Sequence, residues 1–210
     1  MNAIAEEIEE INIGEAEMSP FSPPSAYDAP KEEEVAYEDL HPLLQELTDE
    51  HKAYSDKLEM FEETIMIIEG GRVDKEIDAR LREFFAYMDE EVIPHNQLEE
   101  KALFPAISKS MIKEGKHSKG EDKFNVIDVL EDEHVKIIQM VAITFNMFAL
   151  FVRIPDERSR IMILDVALNQ AKELIELLKL HIYREDTIIF SYAQKNLGNE
   201  ELSRIQQLSK

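Results

Sequence analysis

The feature that most constrains the fold is a repeated pairing of histidine with glutamate. His95 is followed by Glu99 four residues later, and His181 is followed by Glu185 at the same spacing. Residues four apart lie on one face of an α-helix, one turn above the other, so each pair presents an imidazole and a carboxylate in the same direction. The two pairs predict two helix faces that converge on one place.

Two further histidines complete an internal repeat. His51 precedes the first pair and His134 precedes the second by a similar interval. Related phrases also follow the pairs, Ala-Leu-Phe-Pro-Ala at 102–106 and Ile-Ile-Phe-Ser-Tyr-Ala at 188–193. Two helical hairpins, each with a lone histidine and a His-x-x-x-Glu pair, would bring four histidines and two glutamates together across a pseudo-twofold axis.

Apolar residues recur at three- and four-residue steps from Tyr37 onward, and no segment alternates as a β-strand does. Gly70-Gly71, the Lys- and Gly-rich stretch at 113–123 and Ile154-Pro155-Asp156 interrupt this pattern. The helices are therefore predicted over 37–69, 74–111, 126–153 and 157–196, with a kink at Pro94 and a short tail helix over 199–208. Such helices with short connections predict an all-α protein, an antiparallel up-down-up-down four-helix bundle.

The two ends of the chain differ from this bundle, which is assigned to residues 37–196. Residues 1–36 are acidic and contain prolines, and Ile4 to Ile13 has the spacing of a short amphipathic helix. We expect a flexible N-terminal extension that supplies no ligand, with docking of a partner protein as the alternative role. Residues 197–210 are expected to form a short C-terminal helix or tail.

Composition excludes several classes of protein. The chain has no cysteine, so disulfide scaffolds, thiolate zinc sites and iron–sulfur clusters are ruled out. Its net charge of −22 disfavours nucleic acid and anionic membranes as partners, and it attracts cations toward any acidic opening. No signal peptide is evident, and the apolar stretch 141–152 is too short to span a bilayer. These features predict a cytoplasmic protein.

The six paired and lone residues have the chemistry of a metal site. Imidazole nitrogens and carboxylate oxygens suit divalent first-row metal ions, and they suit iron well. Carboxylates between two ions can bridge them, which lowers the repulsion between the cations. With two histidines for each ion and shared bridges, both ions keep open positions for a small ligand.

Four motifs resemble those of the hemerythrin HHE family over about residues 38–195, namely Asp-Glu-His-Lys-Ala-Tyr at 49–54, His-Asn-Gln-Leu-Glu-Glu-Lys-Ala-Leu-Phe-Pro at 95–105, Glu-Asp-Glu-His at 131–134 and His-Ile-Tyr-Arg-Glu-Asp at 181–186. The ligand pattern is most similar to the di-iron proteins that repair iron–sulfur centres (RIC-type), which are tied to nitric oxide and oxidative stress. The resemblance implies two non-haem iron ions, bridged by oxygen and carboxylate, with these ligands: His51, His95, Glu99, His134, His181 and Glu185.

Two departures bear on function. The oxygen carriers of the family place another histidine one turn after the third-helix ligand, where this chain has Ile138, and an aspartate five residues after the last histidine, where Glu185 comes at four. Repair proteins often carry a cysteine-containing N-terminal domain, whereas this sequence has no cysteine. The expected function is reaction with nitric oxide, peroxide or dioxygen in stress response or iron-centre repair. The alternatives are a module that binds, stores or senses dioxygen or iron without turnover, and a helical interaction protein without metal.

Several acidic residues next to the histidines need separate interpretation. Glu50, Glu100 and Asp186 are expected to be surface charges, because they lie on other helix faces than the ligands. Glu131 has the Glu-x-x-His spacing of ferritin-like di-iron bundles. The matching second pair is missing in the first helix, so Glu131 is interpreted as a surface residue or as a neighbour of a ligand.

Overall fold

The computed structural model describes residues 34–208, which are almost entirely helical. After a 3₁₀ turn at Tyr37–Asp39, five helices follow: α1 (Pro42–Glu69), α2 (residues 75–113), α3 (Val126–Phe151), α4 (residues 157–196) and α5 (Asn199–Gln206). The first four are long; α1 packs against α2 and α4, and α3 packs along α4. The predicted all-α, up-down-up-down bundle is confirmed. The expected flexibility of residues 1–33 and the helix expected near Ile4 lie outside the described residues.

The first helix begins later than the sequence pattern predicts. Regular α-helix starts at Pro42 rather than at Tyr37, because the residue before a proline is disfavoured in the helical conformation. His41 therefore takes the capping position, and its Nδ1 accepts a hydrogen bond from the backbone N–H of Leu43 at 3.2 Å.

Local capping explains the other helix ends. Asp74 and Asp156 cap α2 and α4 by accepting backbone N–H groups with their carboxylates. Asn125 and Asp128 form a reciprocal capping box at the start of α3. Gly71 has φ of 90°, a left-handed conformation that favours glycine, and it turns the chain from α1 toward α2.

Two of the long helices contain π-helical turns. The α-helical pieces of α2 are Lys75–Tyr87, Ile93–Leu98 and Phe104–Lys113, joined by π turns at Met88–Val92 and Glu99–Leu103. The pieces of α4 are Glu157–Arg184 and Phe190–Asn196, joined by a π turn at Glu185–Ile189. Each glutamate of the repeated pairs thus begins a π turn, a feature that often marks functional sites. Another π turn directly precedes Pro94, whose ring cannot donate a backbone hydrogen bond.

The interior consists of two apolar clusters with a polar layer between them. One cluster includes Leu58, Phe61, Ile65, Phe84 and Leu174, and the rings of Phe61 and Phe84 stack at 3.8 Å. The other is built around residues such as Leu44, Leu47, Phe104, Phe190 and Tyr192, with Leu202 and Ile205 of α5. Burying each large side chain contributes about 1.5–3 kcal/mol. These clusters stabilise a bundle that has buried histidines and glutamates across its middle.

The third long helix is unusually apolar. Among residues 34–208, α3 is the one helix that is long and apolar enough to cross a membrane by length and composition alone. Its apolar character extends beyond the stretch 141–152 on which the sequence-based expectation rested. Core helices of bundles pass the same test, yet only 28% of the most apolar window of α3 is buried.

Candidate metal centre

The structure brings all six candidate ligands together in the polar layer. His51 comes from α1, His134 from α3, and the two His-x-x-x-Glu pairs come from α2 and α4. Five of the six side chains are buried, and the side chain of His95 is 8% exposed. Because the four helices are antiparallel neighbours, residues near the middle of each helix meet at the same level of the bundle.

The four imidazole rings form two pairs. The Nε2 atoms of His51 and His95 lie 3.0 Å apart, and those of His134 and His181 lie 2.9 Å apart. Two nitrogen ligands bound to one ion at about 2.1 Å, and at a right angle to each other, lie about 3.0 Å apart. The separation within each pair therefore fits a shared metal ion.

Both carboxylates lie between the two histidine pairs. Glu185 places Oε2 3.3 Å from Nε2 of His51, and it places Oε1 3.2 Å from Nε2 of His181. Glu99 Oε2 lies 3.5 Å from Nε2 of His95 and 3.6 Å from Nε2 of His134. Each glutamate thus faces a nitrogen of both pairs, which is the arrangement that bridging carboxylates require.

Carboxylate oxygens of this layer lie 3.2–3.6 Å from imidazole nitrogens but form no regular hydrogen bond. Both oxygens of Glu99 and both oxygens of Glu185 are buried without a hydrogen-bond partner among the described residues. A buried, unpartnered carboxylate is strongly unfavourable, so such groups are usually paired or bound to a metal. A cation between the imidazole pairs would satisfy these oxygens, and the residues present therefore fit a metal site.

Protonation in the metal-free protein follows from burial and from this crowding of charges. Burial disfavours the charged imidazolium, but Asp186 and Glu185 outweigh it and raise the pKa of His51 to about 10. Burial also disfavours the charged form of His181, but Glu185 and Glu133 outweigh this effect and raise the pKa of His181 to about 10. Burial and the charge of Glu185 raise the pKa of Glu99. Positively charged histidines therefore balance the carboxylates when no metal is bound.

A second set of carboxylates holds the histidine rings. The Nδ1 atom of every candidate histidine forms a hydrogen bond to a carboxylate on another helix: His95 to Glu50 (2.6 Å), His134 to Glu100 (2.9 Å), His181 to Glu133 (3.0 Å) and His51 to Asp186 (2.8 Å). Such bonds fix the ring orientation and leave Nε2 directed at the centre of the polar layer. We call these four bonds the carboxylate ring, because they link α1 to α2, α2 to α3, α3 to α4 and α4 back to α1.

Glu50 and Glu100 are exposed, as expected of surface charges, and Asp186 is partly buried; each nevertheless also holds a histidine, which the sequence did not indicate. Adjacent helix residues point about 100° apart, so a residue next to a ligand faces the neighbouring helix and reaches its histidine. Glu133, which also contacts the guanidinium of Arg184, was not singled out by the sequence. The available signal was the repeat itself: Glu50 and Glu133 each directly precede a lone histidine.

Two other residues differ in their placement. Glu131 is half-buried and forms no hydrogen bond to a histidine, and burial with nearby acidic groups raises its pKa. Ile138 is 45% exposed, whereas Ile137 is buried in the core. Ile138, at the position where the oxygen carriers of the family place another histidine, thus has a side chain that lies partly on the outside of α3.

A cavity of about 690 Å³ leads to one side of the site. It lies between α1 and α2, and its lining includes His51, His95, Tyr54 and three acidic residues, Glu46, Glu50 and Glu91. The hydroxyl of Tyr54 contacts the sulfur of Met88 at 3.2 Å rather than a candidate ligand. Small molecules and cations can thus approach the His51–His95 pair, while His134 is fully buried.

The fold and this buried layer together define a four-helix-bundle protein whose interior is equipped to bind metal. The model of the hemerythrin HHE cation binding domain matches residues 42–193, and the chain belongs to that family. The family expected from the sequence motifs is thereby confirmed. Neither the curated proteins nor the solved structures compared with this chain gave a match.

Proposed function

We propose that this protein holds two non-haem iron ions, one between His51 and His95 and the other between His134 and His181. Glu99 and Glu185 would bridge them. The observation that carries this proposal is that both glutamates span the two histidine pairs and that their four oxygens have no hydrogen-bond partner within residues 34–208. Nitrogen and carboxylate donors of this kind suit iron.

The residues around the site would each have a defined task. Bound iron would supply redox chemistry and open coordination positions. The two glutamates offset the positive charge in this buried polar layer, and the carboxylate ring keeps the imidazoles in place. The apolar clusters on both sides exclude bulk water, which suppresses side reactions. The cavity beside His51 and His95 gives a small ligand its route.

We infer a role in stress response or iron-centre repair, in which the reduced site reacts with nitric oxide, peroxide or dioxygen. This chain offers four histidines, whereas the oxygen carriers of the family have five. The smaller number leaves room for an added ligand on both ions, which favours reaction over stable oxygen carriage. The ligand pattern also suits the repair (RIC-type) group. The absence of cysteine suits a reducing compartment such as the cytoplasm, and the charge of −22 disfavours nucleic acid and anionic membranes.

A second candidate function is the binding, storage or donation of iron without turnover. The acidic lining of the cavity favours it, because Glu46, Glu50 and Glu91 would attract a cation to the opening beside His51 and His95. The test is to mix the iron-loaded protein with a metal-free acceptor protein. Transfer of iron to the acceptor without a change in oxidation state would support this function over small-molecule reactivity.

The test of reactivity is to reduce the iron-loaded protein, add dioxygen, and then lower the oxygen pressure over repeated cycles. We expect the protein to stay oxidised, and we expect nitric oxide to change the optical spectrum of the reduced form. Full recovery of the reduced spectrum in each cycle would instead indicate an oxygen carrier.

A further inference from the structure

The outer face of α3 is apolar in a chain that is otherwise highly charged. Its exposed large side chains include Val135, Ile138, Ile143, Phe145 and Leu150. No acidic residue occurs between Glu133 and Asp156, although Asp and Glu together number 45 in the sequence. Lys136, Gln139 and Asn146 are polar residues that are also exposed on this helix, and Phe145 packs edge-on against Phe85 of α2. The five apolar side chains nonetheless remain 40–53% exposed in residues 34–208, whereas large apolar helix surfaces are normally covered.

A groove adjoins the exposed face and extends it. The helices α2 and α3 approach closely where residues 104–113 meet α3, and elsewhere a cavity of about 640 Å³ separates them. Its walls are mostly apolar and include Phe85 and Ile93 of α2 with Ile138, Val141 and Phe145 of α3. The exposed face is thus not a flat strip, since it has a depression into which side chains of another molecule can pack.

Exposed apolar residues also occur on α4, next to its turn from α3. Ile161, Met162 and Val166 are all exposed. The free face of α3 from 135 to 152 is about 27 Å long and 10–12 Å wide, or roughly 300 Å². A stable interface needs about 800 Å² on each partner, so the groove and these α4 residues must contribute.

We propose that this surface, formed by the outer face of α3 with the α2–α3 groove and Ile161, Met162 and Val166, joins two copies of the chain in a twofold dimer. Charge selects the occupant. Two copies that each have a charge of −22 repel each other over most of their surfaces. On α3 between Glu133 and Asp156 there is no carboxylate, so the acidic residues of this helix face and its groove are confined to Asp89 and Glu90 in the groove. An apolar patch is also complementary to itself, as a twofold interface requires.

Other occupants fit the charges less well. An anionic membrane would be repelled by the rest of the molecule, and a basic protein would bind more strongly to the acidic surfaces than to α3. Lys136 and Arg153 are the only lysine or arginine residues between Glu133 and Asp156. They offer little attraction for a strongly acidic partner.

The test compares the oligomeric state of the full-length protein and of two variants by sedimentation equilibrium. We expect the wild type to be a dimer, and Phe145→Glu and Ile138→Glu each to raise the dissociation constant by at least about 30-fold. Met60→Glu is the control, because Met60 is exposed on α1 away from this surface, and it should remain dimeric. Unchanged helix content and metal content in each variant show that folding is intact.

A second measurement uses the absence of cysteine. Ala142→Cys lies on the exposed face near its middle and Met60→Cys lies elsewhere, so each variant has one thiol. A bismaleimide crosslinker should join two Ala142→Cys chains and leave Met60→Cys largely monomeric. A wild type that is monomeric at all concentrations overturns the proposal and leaves residues 1–33 or another protein as the cover. A dimer that survives both glutamate substitutions, or that crosslinks through residue 60 instead, overturns it as well.

Discussion

Nδ1 of His51 donates a hydrogen bond to Oδ1 of Asp186 at 2.8 Å, and this bond joins the first long helix to the last. It closes the carboxylate ring, in which each histidine is held by a carboxylate of a neighbouring helix. The candidate metal centre therefore depends on the relative placement of all four helices as well as on its six candidate ligands.

Removing a member of the carboxylate ring should weaken metal binding without removing a ligand. Asp186→Ala frees the His51 ring, and we expect metal affinity to fall about 10–100-fold. Affinity is measured by competition with a chelator. Asp165→Ala, an exposed carboxylate on the same helix, is the control and should bind as the wild type does. Equal affinities in the two variants would argue against a role of the ring in positioning.

The bridging glutamates and the histidines should differ in their effect on metal content. Glu99→Ala removes a group that faces both histidine pairs, so it should reduce the binding of both ions. His51→Ala removes a nitrogen from one pair and should mainly reduce the binding of one. Metal analysis of each purified variant distinguishes the two outcomes. Retention of two ions by Glu99→Ala would contradict the bridging role.

The same glutamate should destabilise the protein when metal is absent. Glu99→Gln removes a buried negative charge whose oxygens lack hydrogen-bond partners. The free energy of unfolding of the metal-free variant should therefore exceed that of the metal-free wild type by about 1–3 kcal/mol, and its melting temperature should be higher. Thermal unfolding in the presence of a chelator provides the measurement. Glu63→Gln, an exposed position on α1, should leave the melting temperature unchanged. A less stable Glu99→Gln protein would count against a site shaped for a cation.

Metal binding should release protons. The pKa of His51 and that of His181 are raised to about 10, so both rings are protonated at neutral pH without metal, and they must lose these protons to bind it. Calorimetric titration in two buffers of different ionisation enthalpy should show at least two protons released per chain, with affinity increasing with pH. Buffer-independent heats would contradict this.

The folding stability of the metal-free protein should decrease with rising pH, whereas the metal affinity should increase. Because the folded pKa of His51 lies above its unfolded value of about 6.5, the stabilisation from its charge is complete below that pH and is lost as the pH rises toward 10. Urea unfolding of the metal-free protein between pH 6.5 and 10 should therefore show decreasing stability. The metal-loaded protein should not show this decrease.

Much of the fold was predictable from the sequence because helix periodicity and helix-end signals are local. Gly70-Gly71 and Pro155 separate the helices, and the four-residue spacing of His95 with Glu99 fixes a shared face. The partners of the histidines were harder to predict. Whether Glu133 faces solvent or His181 depends on how α3 and α4 rotate against each other, which no local pattern specifies.

Two further features depend on packing in the same way. The π turns at Glu99 and Glu185 alter helix phase locally, and the sequence shows only that the residues after both glutamates are similar. The exposure of Ile138 beside the buried Ile137 could not be read from an apolar stretch in which nearly every position is hydrophobic. Both features become visible only when the neighbouring helices are in place.

The most direct test of the central claim is the metal content of the protein purified under iron-replete conditions, combined with Mössbauer spectroscopy of the iron. We expect two iron ions per chain whose spins are coupled through the bridges of Glu99 and Glu185. One ion or none per chain would contradict the proposed site, as would two ions that are magnetically independent and unaffected when both glutamates are replaced by alanine.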